Sequence, residues 1–229
     1  MKEATTGRVY DLWSKVYDCT FGPLVNRHQG RAVDQLRLRP GDRVLDIGVG
    51  TGLMLHRYRR DVTVIGMDLS AGMLSKARDR CVRSGLDHCR MVRGDAMHPP
   101  FAPASFDHVM ISHTISVVSD PSRLLRLAAE LVKPGGRIVL LNHFQSTWSW
   151  VAAIERLCNP LFMKIGWRSD LSLEDVMHGT DLRLEYGFKT GVVDLWRVVV
   201  LRADHGPPVS RPAPPEQAPP ARVGLGYAT

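Results

Sequence analysis

The sequence predicts an α/β domain built on a mostly parallel sheet with helices on both faces. Three observations carry that prediction. Short apolar runs alternate with amphipathic stretches along most of the chain. A glycine-rich turn, VLDIGVGTG (44–52), follows the first of these runs. Carboxylates then stand at the ends of three successive runs, at Asp46, Asp68 and Asp95.

Taken in order, residues 8–21 are amphipathic. Val9, Leu12, Trp13, Val16 and Thr20 recur at helical spacing, with Arg8, Asp11, Lys15 and Asp18 elsewhere around the helix. Pro23 ends or kinks this helix, and a second is expected to run to Leu38 before the turn RPGD (39–42). RVLDIG is a strand, and TGLMLHRYR is expected to open a helix. VTVIGMD is a strand, AGMLSKARDRCV a helix, and CRMVRGD and FDHVMIS are strands. PSRLLRLAAELV is a helix and RIVLLNH a strand. EYGFKTGVVDLWRVVVLRA reads as two strands joined near Gly191, an antiparallel hairpin closing the sheet edge. That makes seven strands. The expected organisation is a helical segment over 1–40, the α/β domain over 41–205 and a tail over 206–229. The tail is rich in Pro and Ala with almost no bulky apolar side chains, a composition that favours disorder.

A chain of 229 residues, 44% hydrophobic and 23% charged, is long enough for one well-buried core. No run approaches the roughly 18–20 apolar residues of a membrane span. MKEATTGRVYDLW lacks the apolar core and cleavage site of a secretory signal. Cys19, Cys81, Cys89 and Cys158 are scattered, with no metal-binding spacing, so free thiols in a reducing cytoplasm are expected and no metal is. The net charge of +7, with basic clusters at 26–39, 56–60 and 76–83, favours anionic partners or simple solvation.

The glycine turn carries the chemistry. Gly48, Gly50 and Gly52 have no Cβ, so the backbone turns sharply and approaches a ligand closely. The spacing is GxGxG rather than the GxGxxG of dinucleotide folds, and the Lys-Ser/Thr of a phosphate-binding P-loop is missing. Asp68 lies 20 positions after Gly48, at a strand end where a carboxylate accepts two hydrogen bonds from a ribose diol. Asp95 and Ala96 end the third strand, within reach of an adenine edge. Open α/β sheets bind ligands in the crevice at such strand ends.

LDIGVGTG, GMDLSAGML, GDA and LVKPGGRIVL, in that order, resemble the class I S-adenosylmethionine (SAM) methyltransferases over roughly residues 8–202. The resemblance implies a Rossmann-like, seven-stranded fold and SAM as cofactor, with S-adenosyl-L-homocysteine as product. It places the cofactor among Tyr10, Asp46, Gly48, Gly50, Thr51, Gly52, Asp68, Leu69, Met73, Asp95, Ala96, Met97 and Ser112. A narrower resemblance rests on RVYDLWSKVYDCTFG, SHTISVVSDP, LNHF and GWRSDLSLEDV. These are similar to the bacterial phosphatidylethanolamine N-methyltransferases of the soluble, membrane-associating type. Asp46 stands where those enzymes often carry glutamate.

That second resemblance implies stepwise methylation of phosphatidylethanolamine to phosphatidylcholine. Tyr17, His113 and His143 are the candidates to hold the amine or take its proton, with Trp148 and Arg168 as further substrate contacts. His113 and His143 follow adjacent strands at one end of the sheet; either they touch the acceptor or Asn142 and His143 satisfy loop backbone. Residues 1–40 are expected to form a lid and membrane contact over that end. Residues 144–170, rich in large apolar groups, form either a lipid pocket or a helical cap. The basic helix around Val25, Val33 and Leu36 is the candidate for an anionic membrane surface. The expected location is cytoplasmic, peripheral on the membrane, with no nucleic-acid partner. A quinone-ring C-methyltransferase or a small-molecule methyltransferase is the alternative, and a SAM-fold binding module without turnover is the non-enzymatic one.

Overall fold

A computed structural model describes residues 22–144, 171–190 and 196–203. Its centre is a seven-stranded sheet. In chain order the strands are β1 (Arg43–Ile47), β2 (Thr63–Asp68), β3 (Cys89–Arg93), β4 (Phe106–Ser112), β5 (Val132–Asn142), β6 (Leu182–Lys189) and β7 (Arg197–Ala203). They lie in the order β3-β2-β1-β4-β5-β7-β6. The first five are parallel, and β7 runs antiparallel to both β5 and β6. The strand order reverses between β1 and β4, where an open sheet of this kind leaves a crevice at the strands' C-terminal ends.

Apolar side chains cover both faces, as expected for strands buried on both sides. On one face Leu45, Ile47, Val109, Ile111, Ile138 and Leu140 share a core with Leu124, Leu125 and Ala128 of α3 (Pro121–Leu131). On the other, Val44, Val64, Met110, Val139 and Leu141 pack with α1 (Gly22–Asp34) and α2 (Ala71–Ser84). A short α4 (Leu173–Met177) precedes β6. The helix ends follow the sequence. The Asp120 carboxylate accepts the Arg123 N–H at 2.8 Å, with Pro121 in the first turn of α3. Ser70 caps α2 at the Met73 N–H, and Gly85 closes that helix in the left-handed conformation.

Three expectations are corrected. TGLMLHRYR forms no α-helix; only Leu55–Arg57 coil, as a 3₁₀ turn. The chain has about ten residues to return from the glycine loop to the start of β2. An α-helix rises about 1.5 Å per residue, so ten residues cover about 15 Å. A strand of five or six residues spans about 17–20 Å. A 3₁₀ turn, with its greater rise, and an extended Tyr58 (ψ 144°) make up the difference.

The second correction concerns α1, which ends at Asp34 rather than Leu38. Successive i→i−3 hydrogen bonds from Gln35, Leu36 and Arg37 tighten its end, and Arg37 takes φ +52°. The third removes much of the expected membrane face: Val33 and Leu36 are core residues on the sheet, and Arg31 Nη1 donates to the Thr190 carbonyl at 2.9 Å. Pro134–Gly136 lie inside β5 as a loop-out, where the partner on β4 passes from Phe106↔Val132 to His108↔Arg137. Among the described residues no helix is long and apolar enough to cross a membrane.

Candidate active site

The C-terminal ends of β1, β2 and β4 meet around the glycine loop. The N–H groups of Gly48 and Val49 both donate to the Met67 carbonyl, at 2.7 and 3.1 Å, so the loop begins as an extension of the β1–β2 ladder. It then turns through positive φ at Gly48 (+75°), Gly50 (+57°) and Gly52 (+74°). A Cβ on Gly48 would stand 1.8 Å from Thr114 Oγ1, so that position is glycine for space as well as for conformation. Thr114 Oγ1 in turn donates to the Ile47 carbonyl at 3.1 Å, which ties the β4 loop to the end of β1. Gly50 is different: a Cβ there would meet nothing within 4 Å. The loop is thus packed on its inner side and open at its tip.

Asp68 holds that tip. Its Oδ2 accepts the Gly50 N–H at 2.9 Å and its Oδ1 accepts the Ser70 N–H at 2.9 Å. One carboxylate therefore joins the glycine loop to the start of α2. From the far side, Arg80 Nε of α2 donates to the Thr51 carbonyl at 3.0 Å.

Asp46 is buried, 1% exposed, on the same face of the sheet as Met110 and Ser112. Its Oδ2 accepts from the Tyr58 hydroxyl at 3.0 Å, while Oδ1 is buried with no hydrogen-bond partner among the described residues. Burial raises its pKa to about 7, against the lowering effect of the Tyr58 hydrogen bond and with the Asp68 charge adding to the rise. Ser112 Oγ, at the end of β4, is likewise buried without a partner.

At β3 the Asp95 carboxylate accepts the Met97 N–H at 2.8 Å and meets His98 Nδ1 at 2.9 Å. Ala96 is half-buried, and Leu69 is 38% exposed beside Asp68. Met73 and Met97 are 4% and 5% exposed, so both side chains belong to the packed interior.

His113 has a left-handed backbone (φ +57°), unusual outside glycine. Its N–H donates to the Leu141 carbonyl at 2.8 Å, and its Nε2 is buried with no partner among the described residues. The Trp196 ring stands edge-on to it at 5.9 Å, and His28 of α1 lies 5.1 Å from the same indole. Burial, with the nearby His28, lowers the His113 pKa to about 4, so the imidazole is neutral at physiological pH. His143 is 3% exposed, one residue past the end of β5. Asn142 Nδ2 donates to the His143 carbonyl at 2.7 Å, and Ser116 Oγ donates to Asn142 Oδ1 at 3.2 Å. Asn142 therefore fixes loop backbone.

The structure thus gathers the described candidates from Asp46 to His143 at one end of the sheet. Tyr10, Tyr17, Trp148 and Arg168 lie outside the described residues. Tyr58, Thr114, His28 and Trp196 were not legible as site residues. Tyr58 sits within the basic run HRYRR, and the other three come together only through the fold.

These groups suit the SAM that the sequence motifs imply. An unpartnered buried carboxylate oxygen at Asp46 matches an ammonium. The open Gly50 tip admits close approach, and the Asp68 carboxylate beside it is the acceptor type that a diol takes.

Residues 45–140 match the family model described as a methyltransferase domain. The chain is 35% identical over 186 residues to the phosphatidylethanolamine N-methyltransferase of Cereibacter sphaeroides, covering 81% of this chain and 90% of that one. It is 28% identical to the demethylmenaquinone methyltransferase of Bacillus cytotoxicus, covering 72% and 76%. A geranyl diphosphate methyltransferase solved in complex with SAM shares the fold, with TM-score 0.62, 16% identity, and 78% and 85% coverage.

Asp46 generates a pH prediction. An acid whose folded pKa lies above its unfolded value gives stability that is complete below about 3.8 and lost as pH rises through about 7. Asp46→Asn removes this loss. Urea unfolding should show the variant gaining on the wild type between pH 4.5 and 7.5, by about 1.4 kcal/mol per pH unit at most. A gap independent of pH would contradict the buried, raised carboxyl.

Proposed function

The chain belongs to the class I SAM-dependent methyltransferases, and on that premise we propose that it methylates the amine of phosphatidylethanolamine and its partly methylated products. SAM is its methyl donor. The observation that carries the lipid reading is the 35% identity extending over 90% of a phosphatidylethanolamine N-methyltransferase. That stretch of 186 residues is about twice the span of the methyltransferase-domain match at 45–140. The likeness therefore extends past the cofactor half.

When bound, SAM supplies an electrophilic methyl group, transferred as the carbon–sulfur bond breaks to leave S-adenosyl-L-homocysteine. In this reading Asp68 accepts the ribose hydroxyls, Asp46 faces the amino-acid end through its free oxygen, and the Asp95–Met97 turn borders the adenine. His113 and His143 border the acceptor, whose nitrogen lone pair must point at the methyl carbon. Alignment of this kind supplies much of the rate.

The neutral His113 favours one of the two roles expected of it, holding the amine, over taking its proton. An alkylammonium ordinarily has a pKa near 10.4. Transfer of its proton to an imidazole of about 4 is unfavourable by roughly a millionfold. His113 therefore acts by positioning the amine, which gives up its proton to bulk solvent before it is bound, at a cost set by the pH. The proposed enzyme is cytoplasmic and visits the membrane surface to reach its substrate. Ring methylation of a quinone is the second reading, favoured by the 28% identity to a demethylmenaquinone methyltransferase.

One incubation separates the two. With labelled SAM, a total lipid extract and a demethylated quinone, label is expected in mono-, di- and trimethylated phosphatidylethanolamine. Label in the quinone alone would replace the lipid reading. His113→Asn, which suits the left-handed backbone, is expected to keep kcat within about tenfold, because general-base loss typically costs about 100- to 10,000-fold. A loss above about 100-fold would restore His113 as the base.

A further inference from the structure

The opposite end of the sheet holds a second cavity. It has a volume of about 360 Å³ and lies where β1, β4 and β5 begin and β7 ends. Strand β1, five residues at about 3.3 Å each, alone puts it roughly 17 Å from the cofactor crevice. Five cationic side chains line it: Arg37, Arg39, Lys133, Arg137 and Arg202.

Their partners are fewer. Arg137, 3% exposed, makes a two-pronged contact with Glu185, Nε to Oε2 at 2.9 Å and Nη2 to Oε1 at 2.7 Å. Among the described residues Glu185 is also the carboxylate that meets Arg202, at 3.6 Å from its Nη2, and the Arg202 Nε is buried there without a hydrogen-bond partner. Lys133 takes Asp107 at 2.6 Å. The Asp42 carboxylate accepts the Arg39 backbone N–H and meets His108 Nε2 at 3.3 Å, and no carboxylate among the described residues meets the Arg39 guanidinium. Burial holds His108 below its usual pKa, so it adds no charge near neutrality. Among the described residues, Asp42, Asp107 and Glu185 thus stand against five cations, an excess of two positive charges around one cavity. The Pro134-Gly135-Gly136 corner keeps the mouth open, since a Cβ on Gly135 would meet nothing within 4 Å.

We propose that this cavity binds a phosphate dianion, the phosphoryl group of a small ligand or of a lipid headgroup, held chiefly by Arg39 and Arg202. Two unneutralised charges match a dianion, and guanidinium groups offer the paired donors that phosphate oxygens take. The site does not depend on the identity of the methyl acceptor.

Calorimetric titration of inorganic phosphate into the full chain, at low ionic strength with S-adenosyl-L-homocysteine filling the crevice, tests it. Saturable one-to-one binding is expected. Arg39→Gln and Arg202→Gln should each weaken it about tenfold or more, while Arg78→Gln on α2 leaves it unchanged. Arg39 is exposed, so its variant keeps the test valid if Arg202→Gln fails to fold. Vesicles with and without phosphatidic acid distinguish the source. Sedimentation that depends on phosphatidic acid and on Arg39 identifies a headgroup; phosphate binding without it identifies a soluble ligand. No saturable binding, or equal affinity in wild type and Arg39→Gln, would overturn the proposal.

Discussion

The site depends on one hydrogen bond more than on any other contact, that from the Gly50 N–H to the Asp68 carboxylate. A loop that passes through three positive φ values has no regular structure of its own to define its path. It is fixed from outside, by Asp68 at the tip, by the Met67 carbonyl at its start and by Thr114 pressed against Gly48. The same carboxylate takes the Ser70 N–H at the entrance to α2. Loop, second strand and second helix are therefore set relative to one another by a single side chain.

This arrangement explains the cost accepted at Asp46. The short return from β1 to β2 brings Tyr58 back under the loop, where its hydroxyl meets Asp46. One hydrogen bond does not compensate a fully buried carboxyl, so its pKa rises toward neutrality. A binding site can keep such a group because a cationic ligand supplies the missing partner. His113 is the counterpart on the acceptor side, an imidazole whose charged form is disfavoured by burial and by His28. The two departures are opposite in sign and have one cause, the withdrawal of water from the strand ends.

The parallel sheet was legible because its strands are buried on both faces and separated by strong punctuation. Gly85, Asp120-Pro121 and the glycine loop all stand where the structure turns. The 3₁₀ return was not legible, because the pattern in TGLMLHRYR is helical and only the distance it must span excludes a helix. Val33 and Leu36 misled for a related reason: an apolar stripe beside arginines has the same sequence whether it faces a bilayer or a sheet. Asp68 and the glycines were identified by position at a strand end. Tyr58, Thr114 and Trp196 were not, since each contributes through a neighbour distant in sequence. The surplus of arginine read as general basicity resolves partly into defined contacts, with Arg31 on Thr190, Arg80 on Thr51 and Arg137 on Glu185.

The most direct test is the affinity for S-adenosyl-L-homocysteine, measured by calorimetry on the wild type, Asp68→Asn and Asp68→Ala, with circular dichroism to confirm the fold. If Asp68 both holds the loop and receives the ribose hydroxyls, binding weakens in that order, by at least about tenfold for the alanine variant, since charged hydrogen bonds contribute about 1.5–3 kcal/mol each. Unchanged affinity in a folded Asp68→Ala protein would contradict the account.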